Sequence, residues 1–440
     1  MLRRAIALFL TILAFALIPL QAQASETLTI DIFGPGQSRV NMALTQALPL
    51  AEGGQIPPEA EIFEKYVTEN LDMLPFLRMT PAADVLGGVN VQKVTSDGID
   101  FRRFSVSKVD LVMTMGWQPG EGRPGRLEVR VYETFSARLV VGKAYRVTRD
   151  SLARAADMFC SHFMEALTGH GEFFRSVLAF TKQGQGNARE VWTMTPQGRE
   201  LRQITFFGGS SISPAWSPDG RYLAFAHHGS SSHTLGVWDK STNRIFRTKL
   251  PGTTIGGTAF DPEGNVAVAL SRGNMEIFRL TRDLTRIKET LVKSWAIDVS
   301  PSFDAVGKRM AFVSDRRGNP QVFVKDLATG KENRLTFEGK YNTSPSISPD
   351  GKLVVFSRRT KSGHRIFVMD VDTGRERQIT FGPGNDEEPA FSPDGYFVAF
   401  SSNRTGKYQL YLTTRHGDEP RKLKTGKGAV THPTFGPRLF

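Results

Sequence analysis

The chain has one cysteine, Cys160, among 440 residues, so no disulfide can form within it and packing alone must hold the fold. Catalytic signatures are missing as well. There is no G-x-S-x-G elbow and no Walker loop, and Gly34-Pro35-Gly36 is too short to cradle a phosphate. Gly208-Gly209-Ser210-Ser211 lacks the closing glycine of an elbow and reads as a turn. His227, His228 and His233 stand close together without a cysteine or a carboxylate pair at ligand spacing, so they read as an exposed polar hairpin. No basic–aromatic patch points to nucleic acid. No metal site and no cofactor are expected.

The long apolar run is at the amino terminus. Residues 6–20 follow Arg3 and Arg4 and precede Ala22-Gln23-Ala24. That order of basic, apolar and small residues makes residues 1–24 a secretory signal peptide, with cleavage expected after Ala24. The run is shorter than the ~20 residues that a span needs, so no direct membrane insertion is expected. The formal charge of +12 falls to +10 with the loss of the two arginines. Acidic and basic residues are interspersed, which fits a solvated surface.

What the chain does have is a repeat. Trp216-Ser217-Pro218-Asp219-Gly220 returns as Phe260-Asp261-Pro262-Glu263-Gly264 and, degraded, as Phe303-Asp304-Ala305-Val306-Gly307. It returns again as Ile347-Ser348-Pro349-Asp350-Gly351 and Phe391-Ser392-Pro393-Asp394-Gly395. The glycines step by 44, 43, 44 and 44 residues. Proline presets φ for a turn, aspartate bonds the local backbone, and glycine accepts positive φ. Asp219, Asp350 and Asp394 are therefore turn formers and not acid–base pairs. Three short strands follow each motif, the last ending in Leu335-Thr336 or Ile379-Thr380. With the strand that enters the motif, each unit has the four strands of a propeller blade. Residues 177–206 read as a unit without its opening strand, and the orphan Pro433-Thr434-Phe435-Gly436-Pro437 supplies it. Five whole repeats and one split repeat predict six blades over residues 171–440.

Residues 25–170 lack this period and predict a compact α/β domain, a mixed sheet with two helices. Strands are expected over 27–32, 109–115, 126–133 and 138–147, and helices over 59–71 and 149–168. Ile62, Phe63, Tyr66 and Val67 line the first helix. Leu152, Ala156, Phe159, Phe163 and Leu167 line the second, which Asp150 or Ser151 starts and Gly169 ends. Gly169-His170-Gly171 reads as a short, flexible boundary, and Cys160 as a core residue.

A propeller without catalytic groups presents faces for binding. The segments before each opening strand should gather around the mouth of a central channel. They contain Thr254, Gly257, Asp298, Asn342, Thr343, Ser344, Asp386, Glu387, Glu388 and His432. The acidic Asp386, Glu387 and Glu388 suit a basic partner side chain or a cation; solvated loop polarity is the alternative. A ligand-sensing or enzyme-associated propeller is the competing function.

With those residues in view, the chain resembles the TolB family, the periplasmic propeller proteins of the Tol-Pal system. The resemblance spans nearly the whole length: export signal, small α/β domain, repeats and terminal closure. At the junction, Leu167-Thr168-Gly169-His170-Gly171-Glu172-Phe173-Phe174-Arg175 is similar to the family's Leu-Thr-Gly-x-x-Gly-x-Phe-Arg passage, with one extra residue before the arginine. The resemblance implies a non-catalytic, monomeric periplasmic scaffold for outer-membrane integrity and cell division. It implies that the channel-mouth face binds the peptidoglycan-associated lipoprotein Pal. It also implies that the mature start, with Glu26, Thr27, Leu28, Thr29, Ile30 and Asp31, engages the inner-membrane protein TolA. Thr254 and Gly257 depart from the histidine and alanine frequent in the family.

Overall fold

The computed structural model describes residues 39–437 apart from 121 and 231. The expected signal peptide, the strand over 27–32 and the TolA-like residues 26–31 lie outside the described residues. An N-terminal sheet has the order β2-β1-β3-β4-β5. Its strands are β1 (Val40–Pro49), β2 (Leu77–Met79), β3 (Leu111–Gln118), β4 (Gly125–Glu133) and β5 (Leu139–Val147). It is mixed, as expected: β1 runs parallel to β2 and β3, and β3, β4 and β5 are antiparallel.

Helix α1 (Glu59–Leu71) has the bounds that the sequence predicts, and it buries Phe63, Val67 and Leu71 at four-residue intervals. A six-residue helix, α2 (Phe101–Val106), was not expected. The long helix α3 (Leu152–Thr168) follows one tight turn, Arg149–Ser151. That turn is capped by Thr148 and Ser151, whose hydroxyl accepts from the Thr148 N–H at 2.9 Å. Gly169 ends α3 at φ 75°, its N–H on the Glu165 carbonyl at 2.9 Å; only a residue without Cβ adopts that angle freely. Helices α1 and α3 pack on Leu127, Val129 and Val131. Cys160 is buried there, and burial pushes its thiol well above the usual range. Residues 80–109 cover part of the opposite face with Val91, Ile99 and Phe104.

Beyond this domain the chain forms a β-propeller. Residues 255–292, 298–334, 342–378 and 386–422 each make a four-stranded antiparallel sheet. A larger sheet holds residues 176–203 and 210–248, joined by one parallel bridge between Arg189 and Ser210. The C-terminal strand, Val430–Pro437, pairs antiparallel with Ser176–Gln183, Phe435 opposite Leu178. The fragment that opens the array thus meets the orphan segment that closes it. The innermost strands touch in order: Ser210–Trp216, Ile255–Phe260, Asp298–Phe303, Asn342–Ile347, Asp386–Phe391 and Val430–Pro437, which returns to Ser210–Trp216.

The repeat motif is a self-bonded turn. The Ser348 hydroxyl donates to Asp350 at 2.6 Å and accepts from the Leu353 N–H at 2.9 Å, and the Gly351 N–H reaches the Ser348 carbonyl at 2.9 Å. The degraded third copy keeps the shape by other means. The Asp304 carboxylate accepts from the N–H groups of Lys308 (2.9 Å) and Arg309 (3.1 Å), and Gly307 holds φ 75°. The threonine that ends each unit closes a strand back on its neighbour. The Thr336 and Thr380 hydroxyls accept from the N–H of Val322 and Ile366 at 3.0 and 2.9 Å.

Just past the expected boundary at Gly169-His170-Gly171 the chain is anchored between the two domains. Phe173 and Phe174 are fully buried, and the Phe173 ring lies 4.0 Å from that of Phe397. The Phe173 N–H donates to Asp394 at 3.2 Å. On the far side of α3, buried Asp157 accepts from Asn70 of α1 at 2.9 Å and from Gln197 of the propeller at 3.2 Å, and pairs with Arg199.

Phe173→Ala removes the ring between the two domains and is expected to lower stability by about 3–5 kcal/mol in urea unfolding. Burial pushes the Asp394 carboxyl above the usual carboxylate range, against the hydrogen bonds from Ser392, Tyr396 and Phe173 that hold it down. The folded state therefore holds this proton more tightly than the unfolded one. Its contribution is present at low pH and is lost as pH rises through the folded value. Asp394→Asn has no such loss, so its urea midpoint relative to wild type should rise between pH 4 and pH 7.

Candidate interaction surface at the entering ends of the inner strands

The residues singled out from the sequence do come together at one end of the inner strands, but they divide into two groups. Asp298, Asn342 and Asp386 open their strands and are fully buried. Each is held by an arginine from the next hairpin of its own sheet. Arg316 donates to Asp298 at 2.9 Å, Arg358 to Asn342 at 2.8 Å and Arg404 to Asp386 at 2.9 Å. Each guanidinium lies over two rings: Phe312 and Phe323, Phe356 and Phe367, Phe400 and Tyr411. These three polar residues therefore set the loops from behind and face no solvent. The sequence carried a weak signal for this, since Arg316 and Arg404 each stand 18 positions after their aspartate.

The second group sits at a bulge. Every inner strand slips register against its neighbour at one place. In five of them the residue at the slip has positive φ: Ser213 at 52°, Ser300 at 56°, Ser344 at 52°, Glu388 at 54° and His432 at 53°. A proline follows each one. Positive φ is uncommon outside glycine, and each such residue costs on the order of 1–3 kcal/mol. The sixth strand differs: its slip falls between Ile255 and Gly257, and Gly257, which lies against Ser300, does not take positive φ. A bulge re-aims its side chain, here in the same sense around the inner strands.

Glu388 and His432 are neighbours in this series. The Glu388 carboxylate accepts from the His432 N–H at 2.6 Å and the Ser401 hydroxyl at 2.8 Å, and lies 3.1 Å from His432 Nε2. Glu387 turns elsewhere, accepting from the Tyr408 hydroxyl and lying 3.4 Å from His364 Nδ1. Burial and the Glu387 carboxylate push the Tyr408 phenol up to about 12. The three acids thus diverge to three sets of partners and do not converge on a cation. Among the described residues no group of three or more histidine, cysteine or acidic side chains is placed to hold a metal. The histidine hairpin is not exposed as expected: His227 is buried and pairs with Ser211 at 3.1 Å, and half-buried His228 faces His233 across the strands at 2.5 Å. Thr254 and Thr343 are half-buried beside the bulges.

Sequence reasoning missed the aromatic outposts. Phe206, Trp295, Phe337 and Phe381 are 74%, 80%, 70% and 62% exposed. All four lie in the loops that lead into inner strands, and Phe206, Phe337 and Phe381 follow an Ile-Thr or Leu-Thr pair directly. That recurrence was visible in the sequence; the exposure was not.

Arg404→Ala leaves the Asp386 charge buried and unpaired and should cost about 3–5 kcal/mol in urea unfolding. The Asp386→Ala/Arg404→Ala double variant should be more stable than the arginine variant alone.

The family model for the TolB beta propeller domain matches residues 164–439. The Tol-Pal system protein TolB of Nitratidesulfovibrio vulgaris is 46% identical over 297 residues, 67% of each chain. The protein TolB homolog of Chlorobium luteolum is 32% identical over 329 residues, 74% of this chain and 73% of its own. The crystal structure of TolB from Acinetobacter baumannii superposes with a TM-score of 0.79 at 20% identity, over 92% of this chain and 98% of that one. At that identity the likeness speaks for the fold.

Proposed function

We propose, since this chain belongs to the TolB family, that it is a non-catalytic periplasmic scaffold of the Tol-Pal system. In this reading the propeller has six blades, and Val430–Pro437 is the first strand of the blade that Ser176–Gln183 continues. The unbroken order of contacts among the six inner strands supports it. The chain is exported, is cleaved after Ala24, and folds as an α/β domain over 25–170 and a propeller over 171–440. It binds Pal with the bulged end of the inner strands and TolA with residues 26–31. It thereby keeps the outer membrane intact and aids envelope invagination during division. Among the described residues no helix is long and apolar enough to cross a membrane.

The observation that carries the Pal contact is the row of bulged residues with aromatic side chains outside it. Five strained positions in register are costly, and strain of this kind collects where a surface is shaped for a ligand. Exposed aromatics beside a polar centre are the composition of a protein interface. Thr254, Thr343, Ser344, Glu387, Glu388 and His432 then meet the partner, while Gly257, Asp298, Asn342 and Asp386, expected at the surface but buried, keep their loops in place.

Titration calorimetry of the intact mature chain with the Pal homologue of the same organism should give a one-to-one complex. Glu387→Ala/Glu388→Ala should weaken it by about tenfold or more. Absence of binding by the intact chain would overturn the reading.

A further inference from the structure

The α/β domain carries a second charged surface, far from the bulges in the chain. The cross-strand register of β4 and β5 sets Arg126 directly opposite Arg146. Side chains so placed stand about 5 Å apart at Cβ, and like charges there repel. Alternation along β4 puts Glu128 and Arg130 on the same face as Arg126. Glu128 is nearly buried and spans both neighbours, at 2.5 Å to Arg126 and 2.6 Å to Arg130. Its two oxygens are thereby used. Burial alone would raise its carboxyl, but Arg130 and Arg126 hold it below the usual range, so it is one full negative charge.

Arg123, in the turn between β3 and β4, and Arg146 share no carboxylate with any described residue. Arg126 and Arg130 thus divide one carboxylate, and Arg123 and Arg146 add two more guanidiniums nearby. The arrangement is concave: Arg123, Arg126 and Arg146 line a groove of about 820 Å³ between the β3–β4 turn and β5. Residues 80–109 cover the same face of the sheet at β1, β3 and Tyr132, and none of them lines the groove. At its side β5 ends the sheet, pairing with β4 alone, and Gly142, Lys143, Ala144 and Arg146 are exposed.

We infer that this groove is a docking site for an acidic, extended segment of a partner protein, separate from the bulged end of the propeller. Planar guanidiniums match carboxylates in a two-point geometry, and a bound acid relieves the Arg126–Arg146 repulsion. The open edge of β5 offers backbone N–H and C=O groups to an extended chain. A lipid surface is flat and would not follow a groove, so a peptide is the occupant that the shape favours.

The test uses the full mature chain and a fluorescein-labelled decaglutamate probe, with decaglutamine as control. Anisotropy should report saturable binding at low salt that weakens as salt rises, and none to decaglutamine. Arg123→Gln/Arg146→Gln, which leaves the Arg126–Glu128 pair intact, should weaken binding by about tenfold or more while the urea midpoint stays unchanged or rises, because Arg126 no longer faces a like charge. Tight packing as the sole role of these arginines would instead lower the midpoint. No binding to decaglutamate, equal binding by the variant, or preferential capture of phosphatidylglycerol vesicles over the peptide would each overturn the proposal.

Discussion

The pairing of Val430–Pro437 with Ser176–Gln183 is the contact on which the propeller depends. It joins segments about 250 residues apart in the chain, and every sheet between them is placed by it. A strand at the edge of a sheet leaves a row of unpaired N–H and C=O groups, which invites aggregation. Here the first and last segments of the array satisfy each other. The cost is the loop-closure entropy of a long chain, which grows only slowly with length. The gain is a row of hydrogen bonds interrupted only at the bulge, with Val430 buried and Phe435 packed near the interdomain core.

The same seam carries the second domain. Phe173 stacks on Phe397, and one continuous core runs from α1 and α3 through Leu178 and Phe180 to Leu410 and Leu412. Asp394 shows how the repeat was adapted for this. In the 342–378 sheet the equivalent Asp350 bonds its own turn and its carboxyl sits below the usual range, although burial opposes this. Asp394 is buried at the boundary, which reverses the direction of its shift although the Phe173 N–H that it accepts there opposes this.

Much of the propeller was legible because its information is local. A turn needs proline, aspartate and glycine in order, and five copies at a fixed step reveal it. Helices α1 and α3 were legible by the spacing of Ile62, Phe63, Tyr66 and Val67, and of Leu152, Ala156, Phe159 and Phe163. Strand β1 was not. Its sequence, rich in methionine, alanine, leucine and glutamine, favours helix, and parallel neighbours on both sides override that preference. At the interaction surface the polar residues were found but not their roles. Asp298, Asn342 and Asp386 look like solvated loop residues until Arg316, Arg358 and Arg404 are seen to bury them. The serine–proline, glutamate–proline and histidine–proline pairs were also in view, but positive φ before proline is a property of the assembled sheet.

The joint between the domains also fixes how mechanical load travels. A pull on the α/β domain enters the propeller through Phe173, Asp394 and Arg199, beside the place where the two ends of the array pair. Ser176–Gln183 and Val430–Pro437 run antiparallel, so tension led along them would fall on the whole ladder between them. The place where the array is joined is thus also the place where such load would enter, and the bulges lie toward the other end of the inner strands.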